Sequence, residues 1–151
     1  MNDTYDKLTR FCLYRERCTQ EVIQKMYSLK VTETEKEKLL EQLKEEKYID
    51  DDRFIKAFIN TKVYVKRWGK VKIRQELSMK KFDKEKIKLE LVLVDDERYI
   101  ENLNHLAERK WPSLIKKTDR EKRASLFRYL SGKGYESDLI MDWMKKQERE
   151  K

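Results

Sequence analysis

Seven residues recur at a spacing of 45. Ile49, Asp50, Asp51, Asp52, Arg53, Phe54 and Ile55 reappear as Val94, Asp95, Asp96, Glu97, Arg98, Tyr99 and Ile100, identical or conservative at every step. Self-similarity over tens of residues marks an architecture of stacked units. A catalytic site has no need to occur twice along one chain. The acidic triplets also suggest a metal site, but a calcium loop wants ligands alternating over about twelve residues around a central Gly. Neither stretch has that. Each block instead precedes an apolar helical pattern, so Asp50 and Asp95 are expected N-caps. Asp51, Asp52, Asp96 and Glu97 would complement the positive end of the helix dipole. Arg53 and Arg98 follow, placed to pair with nearby carboxylates.

The intervening sequence is helical in pattern. Three Gly and one Pro leave few breakers in 151 residues, and Lys, Glu, Leu and Arg dominate. Charged residues make up 44% of the chain, which alone would suit disorder, but 16 aromatics and regular apolar spacing argue for a packed core. Apolar residues fall at helical intervals in nine segments. Examples are Val22, Ile23, Met26 and Leu29; Phe54, Ala57, Phe58 and Val65; Ile73 and Leu77; and Leu139, Ile140, Trp143 and Met144. The nine form three sets of three. Val22 to Met26 aligns with Ile73 to Leu77 at an offset of 51, and Leu126 and Leu130 continue the series. Each of these middle helices runs into a short turn at Lys30, Lys81 or Gly134. Gly134 suits a left-handed C-cap, whereas a lysine there pays about 1–2 kcal/mol. Asp83 and Ser137 are expected N-caps, and Trp111–Pro112 is expected to stop the seventh helix. The expected class is all-α, with units 1–49, 50–94 and 95–151.

The charge is concentrated. Of a net +8, the stretch Lys62–Lys81 holds eight cations against Glu76 alone, while Glu33–Arg53 nets −4. A focused basic field attracts phosphate backbones or an acidic protein surface. The leading candidates for contact are Lys66, Arg67, Trp68, Lys70, Lys72, Arg74 and Lys81. On one helix, Lys70, Arg74 and Lys81 would lie within about 40° of each other, beside Ile73 and Leu77. Trp68 would stack on a base or a partner side chain. The competing reading is a solvated basic face with a core tryptophan; the one-sided charge favours contact. Arg15 and Arg17 form a second patch, and Lys116, Lys117, Arg120 and Arg123 a third.

Other chemistry finds no support. His105 is the single histidine, and Cys12 and Cys18, without a CxxC pair, read as reduced structural thiols, so no metal site is called. There is no phosphate-binding Gly loop and no Ser/His/Asp constellation, so no cofactor and no enzyme activity are called. No apolar run approaches the roughly 20 residues of a bilayer span, and the opening residues are polar, which makes a cytoplasmic protein the expectation.

Three stretches together resemble the RecX family of bacterial regulatory proteins: "RERCTQEVIQKM", "LLEQLKEEKYIDDDRFIKAFI" and "GKVKIRQELSMKKF". The resemblance covers almost the whole chain. It implies three tandem three-helix repeats in a curved, elongated array. It also implies binding to the RecA filament on single-stranded DNA, with inhibition of its recombinase, ATPase and co-protease activities. Weak direct DNA contact, a monomeric state and no membrane association complete the expectation. A direct nucleic-acid-binding helical module using Lys62–Lys81 is the alternative. The chain departs from the family at Lys30, Lys47 and Lys81, where Gly is usual, and at Lys36, where an apolar residue is common.

Overall fold

In a computed structural model that describes residues 2–114 and 117–149, every regular element is helical. The order is α1 (Asn2–Tyr14), α2 (Thr19–Ser28), α3 (Glu33–Glu45), α4 (Asp51–Tyr64), α5 (Lys70–Met79), α6 (Lys84–Val92), α7 (Asp96–Lys110), a 3₁₀ turn (Trp111–Leu114), α8 (Asp119–Gly132) and α9 (Ser137–Arg149). They pack as three consecutive sets of three. Among the described residues, no helix is long and apolar enough to cross a membrane, and no cluster of three His, Cys, Asp or Glu could hold a metal ion.

The acidic blocks are helix starts. Asp50 accepts the Arg53 N–H at 3.1 Å, and Asp95 accepts the Glu97 N–H at 3.1 Å. Asp83 caps α6 in the same way, by accepting from Glu85. Ser137 does not cap: it is the first helical residue of α9. Asp51 reaches further than its own helix. It accepts from both the backbone N–H and the hydroxyl of Thr19 at 3.1 Å, so a carboxylate in the second set closes the start of α2 in the first. Arg53 holds Glu16 at 2.8 Å across the same junction and Asp52 pairs with Lys86, whereas Arg98 makes no ion pair among the described residues.

Four helices end in left-handed turns. Lys30, Lys47 and Lys81 have φ of 60°, 64° and 65°, and Gly134 has 100°. After α2, the Val31 N–H reaches back to the Met26 carbonyl at 3.0 Å and the Lys30 N–H to Tyr27 at 3.1 Å. Tyr135 and Gly134 repeat that pair of bonds behind α8. The hydrogen-bond geometry therefore needs the positive φ whatever residue occupies the turn, and the lysines bear the steric cost.

The core divides in two. Leu8, Cys12, Val22, Met26, Leu39, Leu43 and Ile49 form one cluster, confined to α1–α3 and the link to α4. A second cluster runs unbroken from Phe54 to Met144 and includes Cys18. The two thiols are thus buried in different clusters, and burial raises the pKa of each. Within α4 the innermost stripe is Ile55, Ile59 and Val63. The sequence pattern had assigned the core face to Phe54, Ala57, Phe58 and Val65; Val65 is 67% exposed, because the helix ends there. Asn102, a buried polar side chain, donates to the Val63 carbonyl at 2.8 Å and so satisfies the end of α4 from α7.

Candidate interaction surface

The segment between α4 and α5 lies within the cationic stretch Lys62–Lys81, and the third set of helices holds it in place. Arg67 has φ 57°, a strained value for a residue with a Cβ. Its carbonyl accepts from the Tyr135 hydroxyl at 2.8 Å. The Gly69 N–H donates to Lys133 at 2.7 Å and the Val71 N–H to Gly134 at 2.9 Å. The Lys70 N–H donates to the Tyr99 hydroxyl at 2.8 Å, and Tyr99 in turn donates to the Glu136 carboxylate. Burial pushes Tyr99 and Tyr135 far above the ordinary tyrosine range, and Glu136 raises Tyr99 further, so both remain donors.

Two glycines make this possible. A Cβ on Gly69 would stand 2.1 Å from the Gly134 carbonyl carbon, and one on Gly134 would stand 2.4 Å from the Lys72 Cβ. Gly134 was recognisable as a C-cap residue. Gly69 carried no comparable signal, since its reason lies 65 positions away in sequence.

Held this way, the strip breaks a local rule. Lys70 and Lys72 occupy the first turn of α5, where the dipole favours acidic residues, and no acid is present in that turn. Among the described residues, none of Lys62, Lys66, Arg67, Lys70, Lys72, Arg74, Lys80 and Lys81 makes an ion pair. Their charge is uncompensated, and the helix end adds to the same field.

Trp68 is half-buried and meets Phe58 edge-on at 6.4 Å. The Lys72 and Lys62 ammoniums stand 4.1 Å and 4.5 Å from its ring centroid. Its ring therefore positions lysines and is not an open platform for a base. Lys66 and Arg74 are exposed; Arg67, Lys70 and Lys72 are half-buried. Lys81 does not continue the face of Lys70 and Arg74. α5 ends at Met79, and the left-handed turn sends Lys81 into a cleft beside Gln20, Gln24 and Tyr27 of α2.

The other patches differ. Arg15 pairs with Glu21 at 2.6 Å. Arg17 lies 3.8 Å over the Phe11 ring, donates to the Phe11 carbonyl at 2.9 Å, and pairs with Glu21 at 3.6 Å. It is a tie between α1 and α2. Burial works against the Glu21 charge, yet the bonds from Cys18 and Arg15 leave its pKa below the usual carboxylate range. Arg123 pairs with Glu148, while Lys117 and Arg120 are exposed. Lys116 lies outside the described residues.

Two family profiles match. The second three-helix domain of RecX aligns with residues 50–89 and the third with residues 96–144. The Regulatory protein RecX of Chlorobium phaeobacteroides (strain BS1) is 31% identical over 138 residues, covering 91% of this chain and 89% of that protein. The chain belongs to the RecX family. A RecX of Clostridium botulinum (strain Eklund 17B / Type B) is 36% identical over 110 residues, 72% of this chain. The chain spans about half the length of several such relatives, with 51% of the Clostridium botulinum protein and 52% of the Oceanobacillus iheyensis one aligned. The fold is that of the crystal structure of RecX from Lactobacillus salivarius, with a TM-score of 0.85, 23% identity, and coverage of 96% of this chain and 94% of that one.

Proposed function

We propose that this chain is a cytoplasmic, monomeric, non-enzymatic regulator that binds the RecA filament on single-stranded DNA and lowers its recombinase, ATPase and co-protease activities. Membership of a family of regulatory proteins supports the regulatory role. One observation carries the choice of surface: a block of cations without ion pairs among the described residues, on a strip whose backbone is fixed to the third set by four hydrogen bonds, two to backbone carbonyls and two to tyrosine hydroxyls. Such charges repel one another and oppose the α5 dipole, so folding stability alone gives no reason to gather them. Lys66, Arg67, Lys70, Lys72 and Arg74 would meet the partner, with Trp68 orienting Lys72. Lys81, Lys117 and Arg120 would be secondary, and Arg15, Arg17, Lys116 and Arg123 weaker still. We place the unit boundaries at 49/50 and 94/95, where the Asp-rich blocks begin.

A direct nucleic-acid module on Lys62–Lys81 is the second reading, and the net +7 of that stretch favours it. Against it, the Trp68 ring already carries two ammoniums. The test is the single-strand-dependent ATPase of RecA with and without this protein, beside binding to the same DNA without RecA. Suppressed ATPase with weak DNA binding supports the filament reading. Tight, steeply salt-dependent DNA binding with unchanged ATPase refutes it.

A further inference from the structure

Helix α4 has a second apolar stripe that the core uses only in part. Ile55, Ile59 and Val63 face inward, while Ala57, Phe58 and Thr61, with the edge of the buried core residue Phe54, line an open cleft of about 530 Å³ between α4 and the turn from α1 to α2. Phe58 and Ala57 are half-buried, and Ala57 leaves a low point between larger neighbours. Cations overhang this floor. The Lys62 ammonium stands 5.2 Å from the Phe58 centroid, and the Lys80 ammonium 5.8 Å from that of Phe54. Arg15 and Glu16 form the opposite wall, but Arg15 is engaged by Glu21 and Glu16 by Arg53. Lys62 and Lys80 therefore supply the charge left for an incoming group.

Ring geometry narrows the occupant. Phe54 lies nearly parallel to Phe58 at 5.9 Å and to Phe82 at 5.5 Å, so its faces are spent within the protein. Stacking on a single strand needs open ring faces, whereas a peptide needs an apolar floor with charged edges. We infer that this cleft receives a short acidic segment of a protein partner, seating an aliphatic or aromatic side chain on Ala57 and Phe58 and its carboxylates on Lys62 and Lys80. The inference rests on the reading above that the partner is a protein, and names the chemistry it presents here.

The test is amide chemical-shift mapping on the intact, isotope-labelled chain. The probes are an end-blocked peptide alternating Asp and Glu with Leu and Phe, its Asn/Gln counterpart, and oligo(dT), each raised to about 1 mM. The acidic peptide should shift amides of residues 54–62 and Lys80, and the neutral peptide should bind about tenfold more weakly or less. Lys62→Gln with Lys80→Gln, which removes charge without disturbing the floor, should weaken the acidic peptide to the neutral peptide's level. Equal binding of both peptides, shifts confined to residues 66–74, or oligo(dT) moving the α4 amides in place of the peptide would each overturn the inference. Peptide capture by a chain that leaves RecA's ATPase untouched would keep the inference and remove RecA as the partner. Inhibition without capture would do the reverse.

Discussion

The first set of helices and the fused second and third sets are built from the same pattern, yet they are joined by different physics. α1–α3 close their own core, and they meet α4 through Asp51 on Thr19, Arg53 on Glu16, and the single buried Cys18. α4–α9 share one core, and their turns interlock backbone to backbone at Gly69 and Gly134. A polar junction in partial contact with water contributes little and yields readily. An apolar junction with two Cβ atoms omitted yields only with the whole core. The cationic strip lies on the rigid side of this divide. The cleft beside α4 has one wall on each side.

The largest effect should come from the interlock. Gly69→Ala forces a Cβ into the Gly134 backbone and should cost about 3 kcal/mol or more in urea denaturation. A loss below about 0.5 kcal/mol would mean that the junction is not close-packed. Asp51→Ala should cost about 1–2 kcal/mol, since it orphans the Thr19 N–H. Its signature is regional: hydrogen exchange should speed up in α1–α3 and stay unchanged in α4–α9. Exchange that rises equally in both would erase the distinction between the junctions.

Glu21 sharpens the comparison through pH. Its folded pKa lies below its unfolded value, so its contribution is present above the ordinary Glu value of about 4.3 and is lost as pH falls through the lower folded value. Glu21→Gln should therefore cost about 1 kcal/mol at neutral pH, and the gap from the unmodified protein should close in acid. A gap independent of pH would mean that packing, not charge, is what Glu21 supplies. The smallest effect is a gain. Lys30→Gly should stabilise by about 0.5–1 kcal/mol, the relief of strain at φ 60° outweighing the entropy of Gly. The gain should appear as slower exchange in α1–α3, whereas Lys81→Gly should slow exchange in α4–α9.

What could be read from the sequence was what is local. Asp50, Asp83 and Asp95 act within three residues of themselves, and the turns at Lys30, Lys81 and Gly134 within six. The repeat showed all-helical units because each unit restates its own starts and stops. Contacts between distant positions were not legible. Nothing near Gly69 points to Gly134, nothing in Arg17 distinguishes a solvated cation from one seated on Phe11, and Asp51 is indistinguishable from an ordinary first-turn acid until Thr19 arrives. Periodicity also fails where a helix has two apolar stripes. In α4 it placed Phe54 and Phe58 correctly against the core but passed over Ile55, Ile59 and Val63, and it extended the core to Val65, past the last turn. The same extrapolation carried Lys81 onto α5 when the helix stops at Met79.

The proposed function stands or falls with the strip fixed by the third set as the working surface. The direct measurement is RecA's single-strand-dependent ATPase in the presence of a variant carrying Arg67→Glu, Lys70→Glu, Lys72→Glu and Arg74→Glu. These side chains make no ion pair among the described residues, the glutamates at 70 and 72 suit the first turn of α5, and position 67 lies outside the helix, so helical circular dichroism should be unchanged. The unmodified chain should suppress the ATPase, and the variant should have lost most of that suppression at the same concentration. Full suppression by the charge-reversed chain would contradict that proposal.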